Sequence, residues 1–483
     1  MKYTAINIGP ILQTFSMARK PRELWAASYM FSYLMKCIID KFSSERIVSP
    51  AKLSKNADNT VGLYPDRLFV EGEVKTGILE DSFNEFAARI GLDIQKTRNY
   101  FNLMSVTVVA NNDEEINSVL TRLNHLLDRM ELCNLTVDEN ARIAVRNYLA
   151  KGSYQLENVT GKKFRNFSIE TIASINIFKG ENEIVAGDKS DKYICIVQAD
   201  GDNMGKVVSN MPLKVVSSLS GKLLTFGQKS CQTIRNYGGL PIYAGGDDLL
   251  FFAPVLTSKG SIFNLIEELD KHYKDIQAFV DDYQIKDKEG IPIRTSMSYG
   301  VSMTYQKFPL YEALGISQRT LFEVAKGVKG KNAVAWLLQK HSGSSFEAAL
   351  SKNMIYLYRA FEDVICATEN EQLVSAVAHK IFHNEVLLSL WLDEPDLKIV
   401  EQRINNFFDE IIDIESKSES ALAYIKSVKK LLLEIYKVAD YLLEQNNEKI
   451  KQNDRLKKMK QSATIVYGML RTAKFVKGKE EEK

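Results

Sequence analysis

A chain of 483 residues is long for one hydrophobic core, and roughly two to four domains are expected. Its 63 Lys and Arg against 61 Asp and Glu leave a net charge of +2, which excludes the strongly basic field of a protein that holds nucleic acid unaided. No apolar run reaches the roughly eighteen residues of a membrane span, and the first residues read as a strand rather than a leader, so a cytoplasmic protein with no membrane partner is expected. Residues 3–9 are a strand pattern, 18–42 an amphipathic helix, 46–49 and 67–70 short strands, 79–90 a helix and 103–110 a strand. That order is the ferredoxin-like split unit, and it defines a first domain over 1–112.

Residues 113–190 open with a helical stretch and read as a connecting module. From 191 the order repeats: a strand to Ala199, a helix from Leu213 stopped by Gly238-Gly239, a hairpin over 240–254, a helix over 261–284 and a strand over 294–304. Helix 310–327 and strand 332–338 are additions, and the second domain is set at 191–342. Beyond 345 the pattern is almost entirely helical, which assigns 343–483 to a helical C-terminal domain. The fold class is α+β, with two ferredoxin-like domains.

The chemistry is carried by the second unit. An apolar strand ends in Asp200-Gly201-Asp202, and a hairpin tip reads Gly245-Gly246-Asp247-Asp248. Transfer to the α-phosphorus of a nucleoside triphosphate needs charge neutralised on both attacking and leaving oxygens, which two divalent ions about 4 Å apart supply. Magnesium prefers a few carboxylates plus substrate phosphates. Asp200, Asp247 and Asp248 fit that count as ligands of Mg2+ or Mn2+, and period two makes Asp202 a possible further ligand. Gly245 and Gly246 let a triphosphate approach backbone, Gly201 and Gly205 do the same after the first strand, and Lys206 and Lys331 are candidate counter-charges. Taken alone, a Gly-Gly-Asp turn is an ordinary hairpin signal; the two motifs in this order point to a palm that handles nucleotides. In the first unit the hairpin position carries Gly62 to Val70, and Asn7 falls near the place of Asp200, so the carboxylate cluster is missing there.

Asp200 to Lys206, Gly245 to Asp248, Ile8-Gly9-Pro10 and Ala18 to Ser28 resemble the large polymerase-cyclase subunit of type III CRISPR effector complexes, the type III-B branch above all. The resemblance spans both palms and the helical tail. It implies a first palm that holds an acceptor nucleotide and a second that binds the metals through Asp200, Asp247 and Asp248. It further implies ATP as substrate, a cyclic oligoadenylate as product, and partners comprising the other subunits, CRISPR RNA and target RNA. Ser298 to Val301 and Lys331-Asn332 match the later palm segments and support Lys331 near the triphosphate; Arg19, Lys20 and Arg22 are candidates for polyphosphate. Two departures stand out. Many relatives open with an HD nuclease domain, whereas this chain has no His-Asp dipeptide, so no DNA cleavage is expected of it. Many also hold zinc between the palms, and the five scattered cysteines here argue against structural zinc.

Two alternatives stay open: adenylate transfer to another adenosine-bearing acceptor such as S-adenosylmethionine, and a scaffold subunit whose palm only binds nucleotide. Neither competing motif adds chemistry. His379 and His383 lie on one helix face without a third ligand, and the basic stretch from Lys449, with Arg471, Lys474 and Lys477, reads as a solvated face.

Overall fold

A computed structural model of the chain describes residues 1–54, 60–110, 116–133, 138–160, 169–173, 192–368, 371–384, 394, 396–411, 418–437 and 455–477. Four strands, β1 (Lys2–Gly9), β2 (Ile47–Ser49), β3 (Arg67–Glu71) and β4 (Asn102–Val109), form an antiparallel sheet in the order β2-β3-β1-β4. This is the split βαβ arrangement, in which each crossover helix returns the chain two strands away.

The first crossover is two helices, Ile11–Met17 and Pro21–Ile39, rather than the single one expected over 18–42. Pro21 forces Lys20 into extended backbone (φ −132°, ψ 153°) and then starts the second helix, where a missing N–H costs nothing. That helix is buried on nearly every side, not on one apolar stripe, because it packs on helix Thr76–Ile90 and also against the second sheet. Helix Ile116–Cys133 packs on β1 and β4, and Arg67 reaches it through Asn124 (2.9 Å) and Asp128 (2.6 Å).

The second sheet has six strands: β5 (Tyr193–Asp202), β6 (Leu240–Gly245), β7 (Asp248–Pro254), β10 (Ser296–Tyr305), β11 (Ala333–Gln339) and β12 (Ser345–Ser351). A small ribbon of β8 (Leu256–Thr257) and β9 (Gly260–Ser261) lies between β7 and helix Ile262–Asp282. The order is β12-β11-β10-β5-β7-β6, so its last four members repeat the first sheet's topology, while β11 adds parallel to β10. β12 corrects the reading of everything past 345 as helical. Phe346, Ala348 and Leu350 are buried at period two, a strand signal too short to stand out before a long helical region, and the sheet therefore runs past residue 342.

Helices Ile355–Ala367, Glu371–His383, Leu397–Ile411, Glu419–Lys437 and Arg455–Lys477 make up the C-terminal region. The last docks on β12, where Gly468 meets the Glu347 carbonyl so closely that an added Cβ would lie 2.5 Å from it. Trp336 donates from Nε1 to Thr472 Oγ1 at 2.9 Å beneath this contact. Arg471 donates to His379 and lies over Phe346, and Lys474 donates to Ser375, so these two half-buried cations help to dock the helix. The lysines of 449–454 lie outside the described residues. Cys195 and Cys231 are buried, as their places in a strand and an apolar helix suggest.

The two sheets meet at backbone level. Gly62, in the loop before β3, forms a parallel bridge with Tyr243 of β6, and Ala244 N–H donates to the Gly62 carbonyl at 2.9 Å. Trp25 Nε1 and Arg235 clamp the adjoining Thr60 at 2.8 and 2.7 Å. Ser28 and Ser32 of the buried helix leave room for Gly62; a Cβ there would sit 2.9 Å from Ser28 Oγ.

Candidate functional site

The hairpin β6–β7 closes through two residues, Gly246 and Asp247, between the paired Gly245 and Asp248. Gly246 takes φ +68°, the left-handed conformation such a turn requires and glycine supplies without strain. β5 is the neighbour of β7, and their pairing ends at Ala199–Leu249. Asp200 is the next residue of β5, and Asp248 immediately precedes Leu249. The three aspartates named from sequence therefore stand at adjoining strand ends.

Asp247 lies across the backbone of Gly201. A Cβ at Gly201 would run into the Asp247 carboxylate and stand 2.9 Å from the Tyr273 hydroxyl, so only glycine fits. Packing around Asp247 pushes its carboxyl up to about 7, with the nearby Asp200 charge adding to the effect and Lys326 opposing it. Asp248 is raised well above the ordinary carboxylate range by burial first, then by Asp247 and Asp200. Tyr243, whose ring lies over Gly245, has its hydroxyl raised by burial and by Asp248.

Lys326, which sequence reasoning missed, donates from Nζ to Asp200 Oδ1. The signal was present in the run Lys326-Gly327-Val328-Lys329-Gly330-Lys331, where glycines alternate with cations just after a helix. Lys331 does reach the same end of the sheet, donating to Asn203 Oδ1 at 3.2 Å. Asn203, Arg294, Gly330, Asn332 and Asn353 line a cavity of about 840 Å³ beside this loop.

Asp202 departs from the expected ligand role. Its fully buried carboxylate accepts from Ser296 Oγ at 2.6 Å, from Ser298 Oγ at 2.9 Å and from the Asn332 N–H at 2.9 Å. Period two puts Asp202 on the Asp200 side of the strand, but the register with β10, Ser296 opposite Asp202 and Ser298 opposite Asp200, surrounds it with hydroxyls. Lys206 and Gly205 are exposed on the short helix Met204–Ser209, and a Cβ at Gly205 would meet nothing within 4 Å. Arg19 lies against the Tyr311 ring of the second unit (5.9 Å), its backbone N–H bonded to Glu23, rather than at the aspartates; Lys20 is exposed and Arg22 half-buried.

The carboxylates Asp200, Asp247 and Asp248 are hard oxygen donors of the kind magnesium and manganese take, and their mutual charge is what a divalent cation would neutralise. Among the described residues no three His, Cys, Asp or Glu side chains are already gathered as an ion cage. Like charges hold apart, and Asp200 is paired with Lys326.

Paired ferredoxin-like domains, the second with carboxylates at its strand ends, define a protein of the palm class. Residues 193–335 match the family model described as Cas10/Cmr2, second palm domain, and residues 3–83 match CRISPR-associated protein Cmr2, N-terminal. The chain is thus similar to the Cas10/Cmr2 family over its first palm and its second. CRISPR system Cmr subunit Cmr2 of Pyrococcus furiosus is 26% identical over 193 residues, which cover 35% of this chain and 21% of that protein. The chain thus matches about a fifth of its curated relative's length.

Among solved structures, the apo type III-B Cmr-beta structure aligns with TM-score 0.53 at 11% identity, over 90% of this chain and 81% of the other. The Csm1-Csm4 cassette in complex with cA4 gives 0.52 at 12%, over 90% and 70%. The same cassette in complex with one ATP gives 0.51 at 12%, over 90% and 69%. At such identities the likeness is one of fold. No helix among the described residues is long and apolar enough to cross a membrane.

Proposed function

We propose that this chain is the nucleotidyltransferase subunit of a type III CRISPR ribonucleoprotein, making an adenylate-based messenger from ATP when target RNA is bound. The observation that carries the reading is the meeting of Asp200, Asp247 and Asp248 at adjoining strand ends, with Asp247 laid over Gly201 and Lys326 beside them. The ATP- and cA4-bound Csm1-Csm4 structures, alike in fold, lend support for a nucleotide substrate.

In this reading residues 1–112 hold the acceptor nucleotide, 113–190 connect, and the second palm, extended to 351 by β12, holds the donor. The other subunits, CRISPR RNA and target RNA are its partners, in the cytoplasm. Asp200, Asp247 and Asp248 hold Mg2+ or Mn2+, which when bound supplies charge neutralisation and a lowered pKa at the attacking hydroxyl. The acceptor 3′-hydroxyl loses its proton to solvent, its oxygen forms a bond to the α-phosphorus, the bond from that phosphorus to the bridging oxygen breaks, and pyrophosphate departs. Lys331 and Arg294 line the polyphosphate path, and Lys326 moves from Asp200 to a phosphate oxygen.

The test is incubation of the reconstituted complex with α-labelled ATP, divalent metal and target RNA. Labelled product from wild type and none from Asp247→Ala/Asp248→Ala is expected. Assembly and target binding without product would leave a scaffold role instead.

A further inference from the structure

Three parts of the second palm meet at one buried carboxylate. Asp202 closes β5, two residues after Asp200; Ser296 and Ser298 lie on β10; Asn332 ends the loop that begins at Lys326. That loop closes in a costly shape. Lys331 (φ +53°) and Asn332 (φ +50°) are consecutive left-handed residues, neither of them glycine, and such backbone persists only where surrounding contacts hold it. The Asn332 N–H is held by Asp202 at 2.9 Å, its carbonyl accepts from the Lys352 N–H at 2.7 Å, and its side chain donates to Asn353 at 2.8 Å. Thr295 adds a hydroxyl bond to the Asp202 carbonyl at 2.7 Å, so strand end and loop are tied on both sides.

We infer that Asp202 is a positioning residue: it fixes the left-handed Lys331-Asn332 turn against the end of β5 and so holds Lys326 and Lys331 over the polyphosphate path, without touching metal or substrate. The inference rests on the reading of this site as a nucleotide site. Its physical content is that both Asp202 oxygens are spent on protein donors. A charge-assisted bond to a backbone N–H is strong and directional, which suits it to hold a strained turn.

Three measurements on the reconstituted complex test it, with Asp202→Ala, Asp202→Asn and Ser296→Ala/Ser298→Ala compared to wild type and to Asp248→Ala. In Asp202→Ala, deuterium exchange of a peptide spanning 326–333 is expected to accelerate at least about tenfold. Manganese affinity, followed by electron paramagnetic resonance, is expected to stay within about twofold of wild type, unlike that of Asp248→Ala. The KM for ATP is expected to rise about tenfold, with kcat changed far less, because two cations lose their placement while the metal ligands remain. Asp202→Asn, which keeps one acceptor for the Asn332 N–H, should fall between, and the double serine variant should give the same pattern more weakly should Asp202→Ala fail to fold.

Manganese binding lost in Asp202→Ala as fully as in Asp248→Ala would overturn the inference and make Asp202 a ligand. Unchanged exchange over 326–333 would overturn it as well. A wild-type complex that makes no product would sink the proposed synthase, while the exchange result would still decide whether Asp202 holds the turn.

Discussion

The two palms share a strand order and differ in how their hairpins close. In the first, some seventeen residues, Pro50 to Asp66, separate β2 from β3 in sequence; in the second, β6 and β7 are joined by Gly246 and Asp247 alone. A two-residue turn sets adjacent side chains at the sheet end in fixed geometry, and a long loop cannot. Near the end of β1, where Asp200 stands on β5, is Asn7, buried with neither amide atom paired among the described residues. The scaffold is thus common to both units, and the carboxylate cluster stands on only one of them.

The strongest way to break this contrast is to remove the carboxylates. Asp247→Ala/Asp248→Ala should lower product formation at least about 100-fold without lowering the temperature of thermal unfolding at neutral pH, as measured by labelled-ATP turnover and calorimetry. Comparable loss from Asn7→Ala would show the palms to be chemically equivalent.

The glycines sharpen the contrast within the second palm. Gly201→Ala drives a methyl into Asp247 and should cost roughly as much activity as losing that aspartate, whereas Gly205→Ala meets open space and should leave turnover intact. Equal effects would mean that Asp247 does not depend on the bare backbone of Gly201.

Charge gives a pH signature of intermediate size. In the native chain Asp247 keeps its proton up to about 7, whereas an unfolded aspartate releases it near about 4. The native state therefore binds more protons across this window, and stability of the metal-free protein should fall as pH rises from about 4 through about 7. Asp247→Asn should flatten that slope in melting curves, and Lys326→Met, which removes the opposing cation, should carry it to higher pH.

Away from the chemistry, Gly468→Ala should loosen the terminal helix from β12 and lower stability by about 1–3 kcal/mol, read from denaturant midpoints. The smallest effect belongs to the first palm: Asn7→Val replaces an unpaired buried amide and should be neutral or stabilising by about 1 kcal/mol.

Much of this was legible in the chain. The strand-helix-strand order repeats with alternation strong enough to read, and Asp200, Asp247 and Asp248 announced themselves at strand ends. What escaped depended on register and on distant partners. Asp202 looks like a ligand by periodicity, and only the pairing of β5 with β10 reveals Ser296 and Ser298 against it. Lys326 meets Asp200 across 126 positions of sequence, a distance no local pattern spans. The helix Pro21–Ile39 reads as amphipathic because its second neighbour, β6, arrives some two hundred residues later.

The bridge between Gly62 and Tyr243 joins the palms through main chain alone, one residue from Ala244 and four from Asp247. That pivot of peptide groups depends on a bare Cα at position 62, since a Cβ there would lie 2.9 Å from Ser28 Oγ. A change at position 62 would therefore be felt first by the strand that leads into the Gly-Gly-Asp-Asp turn.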